Sequence, residues 1–147
     1  MQIASHALYI NNYVVTFKQN KMMKNAINWF EIPVKNFNRA KKFYETIFNT
    51  SLAINEGMPD GYKMAMFSYD MSNEAVMGAI VEGKGYEPSQ KGVLAYLNGG
   101  EDLSVPLAKV EKAGGKILQP KTSIGEYGFM AQFEDTEGNK LALHSIK

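Results

Sequence analysis

Phe133-Glu134-Asp135-Thr136-Glu137-Gly138-Asn139-Lys140-Leu141 is the stretch whose reading decides the fold. Asp135 and Asn139 are suited to bond nearby backbone groups, and Gly138 permits positive φ, so the chain reverses there in a tight hairpin. Working backwards, 129–133 is the strand entering the turn and 140–146 the strand leaving it. Lys116-Ile117-Leu118-Gln119-Pro120 supplies an earlier strand. Before it, Leu103, Leu107 and Val110 form an apolar stripe on a helix over 103–112, with Pro106 in its first turn and Ala113-Gly114-Gly115 as its stop. Residues 93–98 open this half as a strand, broken by Gly99-Gly100.

The same order of elements stands upstream. In Ile27-Asn28-Trp29-Phe30-Glu31-Ile32-Pro33-Val34, Phe30, Ile32 and Val34 share one strand face and Trp29, Glu31 and Pro33 the other. Asn36 is a fair N-cap; Phe37, Ala40, Phe43, Tyr44 and Ile47 recur at helical spacing, and Asn49 suits the helix end. Three β-type stretches follow at 51–55, 62–69 and 75–81, separated by Pro59-Asp60-Gly61 and Ser72-Asn73. Equivalent elements lie roughly 65 residues apart, too far for a solenoid array. A fused duplication explains the pattern. The expected fold is one α+β domain of two βαβββ modules, about 25–83 and 92–147 with a linker at 84–91. Together the modules form a curved mixed sheet around a cavity, with helices on the outer face.

Residues 1–24 lie outside this pattern. Ala7-Leu8-Tyr9-Ile10 and Tyr13-Val14-Val15-Thr16-Phe17 are short and β-prone, and Asn11-Asn12 is a plausible turn between them. The segment makes a poor secretory signal. It reads as an added hairpin or strand, or as the product of an upstream start codon with Met22 or Met23 as the physiological start.

Composition excludes several function classes. A chain of 147 residues with 16 Lys and Arg against 15 Asp and Glu has no broad field for nucleic acid or acidic lipid. Cysteine is absent, which removes disulfides, thiolate nucleophiles and cysteine metal sites. No apolar run approaches the ~20 residues of a membrane span. The expectation is a soluble, cytoplasmic protein whose partner is a small molecule.

The motifs Phe30-Glu31-Ile32-Pro33-Val34, Arg39-Ala40-Lys41-Lys42-Phe43-Tyr44 with Phe48, Lys109-Val110-Glu111-Lys112-Ala113-Gly114-Gly115-Lys116-Ile117 and the 135–139 turn carry a family resemblance. The chain resembles the vicinal oxygen chelate superfamily of glyoxalase I, bleomycin-resistance proteins and extradiol dioxygenases, over about 25–147. The resemblance implies the fold and a homodimer. It specifies no reaction, because one fold hosts many activities. Enzymes of the family hold a divalent metal on a few His, Glu or Gln side chains facing the cavity. By the resemblance, one ligand position falls on Trp29, whose indole has no lone pair for a metal, and another falls on Ala142. The strand 92–97 contains no His, Glu or Gln. The expectation is therefore no metal and no other cofactor, with a divalent metal on a rearranged ligand set as the alternative.

Two polar residues invite sharper roles. His144 shares a strand face with Ala142 and is readable as exposed, as a ligand contact, or as a metal ligand with Glu31 and one of Gln132, Glu126 or water. Glu31 is readable as paired with Arg39, a lysine or a backbone donor, as a recognition group, or as a general base. These two are the catalytic candidates. Expected ligand contacts are Trp29, Glu31, Phe67, Tyr96, Phe129, Gln132 and His144, the aromatic members giving an adaptable, largely apolar pocket. The loop 123–128, with two glycines, is a candidate lid. The function expected is a metal-independent small-molecule-binding protein of the bleomycin-resistance type. Its competitors are a metal-dependent lyase, isomerase or dioxygenase and an interaction protein with a self-filled cavity.

Overall fold

The computed structural model describes residues 7–10 and 13–16 as backbone, and 25–67 and 75–147 in full. The N-terminal strands β1 (Ala7–Ile10) and β2 (Tyr13–Thr16) pair antiparallel with each other in a separate two-stranded sheet. The expected turns at Asn11-Asn12 and Ser72-Asn73 lie outside the described residues.

The first module runs β3 (Trp29–Pro33), α1 (Phe37–Phe48), β4 (Ala53–Ile54), β5 (Lys63–Met66) and β6 (Met77–Glu82). The second runs β7 (Tyr96–Asn98), α2 (Ser104–Val110), β8 (Lys116–Ser123), β9 (Phe129–Glu134) and β10 (Lys140–Ser145). Each module makes a four-stranded mixed sheet, ordered β3-β6-β5-β4 and β7-β10-β9-β8. In each the first strand lies parallel to the last, and the other pairs are antiparallel. The architecture is therefore the expected α+β pair of βαβββ modules, and the sheets are not closed into a barrel.

Local chemistry explains the helix ends. The Asn36 side chain accepts the Arg39 amide at 3.0 Å, and Asn49 takes the left-handed conformation at φ 50°. Helix α2 is shorter than its apolar stripe suggested. Asp102 accepts the Ser104 amide just before it and the Lys121 ammonium, both at 2.8 Å. Those two bonds, Lys121 first, hold the Asp102 carboxyl at about 2. At the other end, a side chain on Gly115 would stand 2.6 Å from the Glu134 carbonyl oxygen, so only glycine lets the chain leave α2 so close to β9.

The two modules share one core. Ile32 and Val34, the buried face of α1, Leu103, Leu107 and Val110, and the inward residues of β9 and β10 form a single apolar cluster. Phe43 of α1 meets Phe133 of β9 at 6.1 Å between ring centroids. The modules thus pair within one chain.

The 135–139 turn does more than reverse the chain. Glu137 accepts the amides of Lys35 and Asn36 at 3.1 and 2.9 Å and is gripped by Arg39 Nε and Nη2 at 2.8 and 3.1 Å. Asn139 donates to the Pro33 carbonyl and accepts the Ser89 amide. The second module's last turn therefore clasps the β3–α1 corner of the first. Arg39, a possible partner for Glu31 from sequence, is committed to Glu137 instead.

Acidification tests this clasp. Burial pushes the Glu137 carboxyl up, but the Arg39 guanidinium and the Asn36 and Lys35 amides outweigh it and hold it below the ordinary carboxylate range. A group whose folded pKa lies below its unfolded one stabilises fully above the unfolded value and loses that effect as pH falls through the folded one. The difference in urea midpoint between the wild type and Glu137→Gln is expected to narrow from about pH 5 to about pH 3. A difference that stays constant over that range would show that the carboxylate charge contributes nothing.

Candidate functional site

Strand pairing sorts the side chains into two faces. On β3, Phe30 and Ile32 point to the helices, while Trp29, Glu31 and Pro33 point to the open face beside Met77, Ala79 and Val81 of β6. Met64 and Met66 of β5 pair with Val81 and Ala79 and join the same face. In the second sheet, Ala142 and His144 of β10 stand with Gln132 and Met130 of β9 and with Tyr96 and Asn98 of β7. Five of the seven expected contacts, Trp29, Glu31, Tyr96, Gln132 and His144, thus lie on open faces.

Phe67 and Phe129 do not. Phe67 follows β5 with the parity of buried Ala65, and its ring packs on Phe30, Tyr44 and Phe48 at 5.7, 5.5 and 6.1 Å. Phe129 has the parity of Ala131 and Phe133 and packs against the core, with the Lys121 ammonium 4.5 Å from its ring centroid. Both are partly buried and pack against the core. Side chains alternate along a strand, so a one-residue difference in position decides the face.

Glu31 sits at the centre of a built unit. Its Oε1 accepts Trp29 Nε1–H at 3.0 Å, and its Oε2 accepts the Tyr86 hydroxyl at 2.6 Å. Tyr86 belongs to the loop read from sequence as linker, and its phenol is pushed up, chiefly by the bond to Glu31 and then by burial. Its ring stands edge-on to Tyr62 at 6.3 Å. Tyr62 lies over Gly83, where a Cβ would come within 2.2 Å of the ring, and donates to the Lys84 carbonyl at 3.2 Å. Sequence reasoning missed Tyr62 and Tyr86. The available signal was an aromatic residue inside a Gly/Pro-rich segment, Gly85-Tyr86-Glu87-Pro88.

His144 is held separately. Its Nε2 lies 2.7 Å from the Tyr127 carbonyl oxygen. A carbonyl only accepts, so Nε2 carries the proton, and Nδ1 is the lone-pair nitrogen of the neutral ring. The 3-10 turn at Gly125–Tyr127 that supplies this carbonyl is closed by the Ile124 amide on the Gly128 carbonyl and the Gly128 amide on that of Gly125. Gly128, at φ 95°, approaches the Ser145 carbonyl so closely that a Cβ would lie 2.3 Å from it. The segment read as a lid is thus pinned to β10. Tyr96, Leu97, Asn98, Ile124 and His144 line an open recess of about 530 Å³. Among the described residues, Glu31 and His144 share no hydrogen-bond partner.

Residues 26–143 match the model of the Glyoxalase/Bleomycin resistance protein/Dioxygenase superfamily. The chain belongs to that superfamily. A glyoxylase-like domain-containing protein of Didymella fabae is 32% identical over 127 residues, covering 83% of this chain and 94% of its own. A glyoxalase I mutant from Zea mays is 25% identical with TM-score 0.65, over 91% of this chain and 51% of that one. A glyoxalase/bleomycin resistance protein/dioxygenase family enzyme from Burkholderia phytofirmans is 12% identical with TM-score 0.58, over 82% and 98%.

Membership in the glyoxalase superfamily raises the question of a divalent metal. Among the described residues, no group of three or more His, Asp or Glu is placed to hold one. Trp29 and Ala142 offer no lone pair where the resemblance places ligands. Of the two alternative donors, Glu31 and His144, the imidazole keeps only Nδ1 for a metal. These residues do not fit the metal. Among the described residues, no helix is long and apolar enough to cross a membrane.

Proposed function

We propose that this protein is a metal-independent small-molecule-binding member of the glyoxalase superfamily, cytoplasmic and homodimeric. The observation that carries the reading is the Trp29–Glu31–Tyr86 unit, which stands on the open sheet face at the position where the resemblance expects a metal ligand. Aromatic surface with a few oriented polar groups is what a ligand site requires. Met64, Met66 and Met77 on the same face add surface that adapts to irregular ligands.

The second reading is a metal-dependent lyase, isomerase or dioxygenase with rearranged ligands. It is favoured by the Nδ1 lone pair of His144 on the face it shares with Gln132.

Elemental analysis separates the two. Purified without tag or chelator and then given Mn(II), Ni(II), Zn(II) or Fe(II), the protein is expected to retain no stoichiometric ion. Emission of Trp29, the sole tryptophan, is expected to change saturably with a neutral aromatic probe such as N-phenyl-1-naphthylamine. Retention of about one ion per chain, lost on His144→Ala, would replace the binding reading by the metal-dependent one.

A further inference from the structure

We propose that the open face of the first sheet takes a ligand bearing a protonated amine on an aromatic frame, with Glu31 as its counter-ion. The inference rests on the small-molecule-binding reading and names its ligand class. Glu31 is oriented from both sides, yet both its donors, Trp29 Nε1–H and the Tyr86 hydroxyl, are neutral. Every ion pair found among the described residues uses another carboxylate: Glu87, Glu137, Glu45, Glu82 or Asp102. Arg39, the one arginine, is spent on Glu137.

Each carboxylate oxygen has two lone-pair directions, and one hydrogen bond on each leaves the other open to a donor. Trp29 and Tyr86 meet this charge at their polar edges. Trp29 is 38% exposed, and Tyr86 and Tyr62 are half-buried and locked edge to face. Their positions are fixed: Trp29 and Tyr86 by Glu31, and Tyr62 by the Lys84 carbonyl and the bare backbone of Gly83. A preset carboxylate favours an organic cation through a charge-assisted N–H bond, while the exposed Trp29 ring offers apolar contact to an aromatic frame. A neutral ligand of the same shape gains only the ring contact. A carboxylate ligand meets Glu31 as a like charge.

Calorimetric titration at about pH 7, where a primary amine is an ammonium ion, tests this with benzylamine against benzyl alcohol. The amine is expected to bind the wild type about tenfold more tightly than the alcohol. In Glu31→Gln that preference, read as the ratio of the two affinities within the variant, should vanish. In Tyr86→Phe, which keeps the charge, the preference should persist. Equal affinities in the wild type, or a preference that survives in Glu31→Gln, would overturn the amine proposal and leave the binding reading intact. If neither compound binds, the amine proposal falls, and if the neutral N-phenyl-1-naphthylamine probe also leaves Trp29 emission unmoved, the binding reading falls with it.

Discussion

Replacing Asp135 by alanine is expected to lower the free energy of unfolding by about 3–5 kcal/mol, seen as a large drop in urea midpoint. Asp135 is 3% exposed and accepts four hydrogen bonds. They come from the Tyr44 hydroxyl at 2.6 Å, the amides of Glu137 and Asn139 at 2.9 Å each, and Asn139 Nδ2 at 2.8 Å. Alanine leaves these donors without their acceptor in a site closed to water. Burial first, and then the Asp135 charge, push the Tyr44 phenol far up, so it stays protonated and donates at any ordinary pH. Tyr44→Phe removes both the donor's demand and one of the acceptor's bonds, and should cost less, about 1–2 kcal/mol. A loss below about 1 kcal/mol for Asp135→Ala would mean that water reaches these donors.

Phe43→Ala should cost a similar amount, about 3–5 kcal/mol, because the truncation opens a cavity where the modules meet. Phe43 is 1% exposed, stands edge-on to Tyr44 at 5.0 Å and tilts against Phe133 at 6.1 Å. Phe43 lies on α1 of the first module and Phe133 on β9 of the second. The damage should therefore reach both halves. Amide hydrogen exchange is expected to quicken in β5–β6 and in β9–β10 alike, and unfolding should remain one transition. Loss of protection in the first module alone would contradict a shared core.

Much of the fold was legible in the chain, because the signals were local. Asn36 and Asn49 cap α1 as their chemistry suggested, and Phe37, Ala40, Phe43, Tyr44 and Ile47 form its buried face. The turn at 135–139 makes the expected hairpin, with Gly138 at φ 93°. Lengths were less legible: β8 runs on to Ser123 past Pro120 through shifts in its register against β9, and β7 begins only at Tyr96.

The candidate site was half legible. Trp29 and Glu31 could be placed on one face because strand alternation is strict and β3 is regular. Phe67 and Phe129 were misplaced because they sit at strand ends, where parity must be carried across from a neighbouring strand. Their size suits the core as well as it suits a pocket. Tyr62 and Tyr86 gave no periodic signal, since one precedes a strand and the other lies in a loop.

By itself the sequence determined which segments are strands and helices, the repeat of one module order, and the family. These follow from spacing along the chain and from which atoms a side chain carries. Only the tertiary structure decided who partners whom: Glu31 with Tyr86 across 55 positions, Arg39 with Glu137 across 98, and Tyr44 with Asp135 across 91. A hydrogen bond of about 3 Å is set by separation in space, and that separation exists only once both sheets are packed on the shared core.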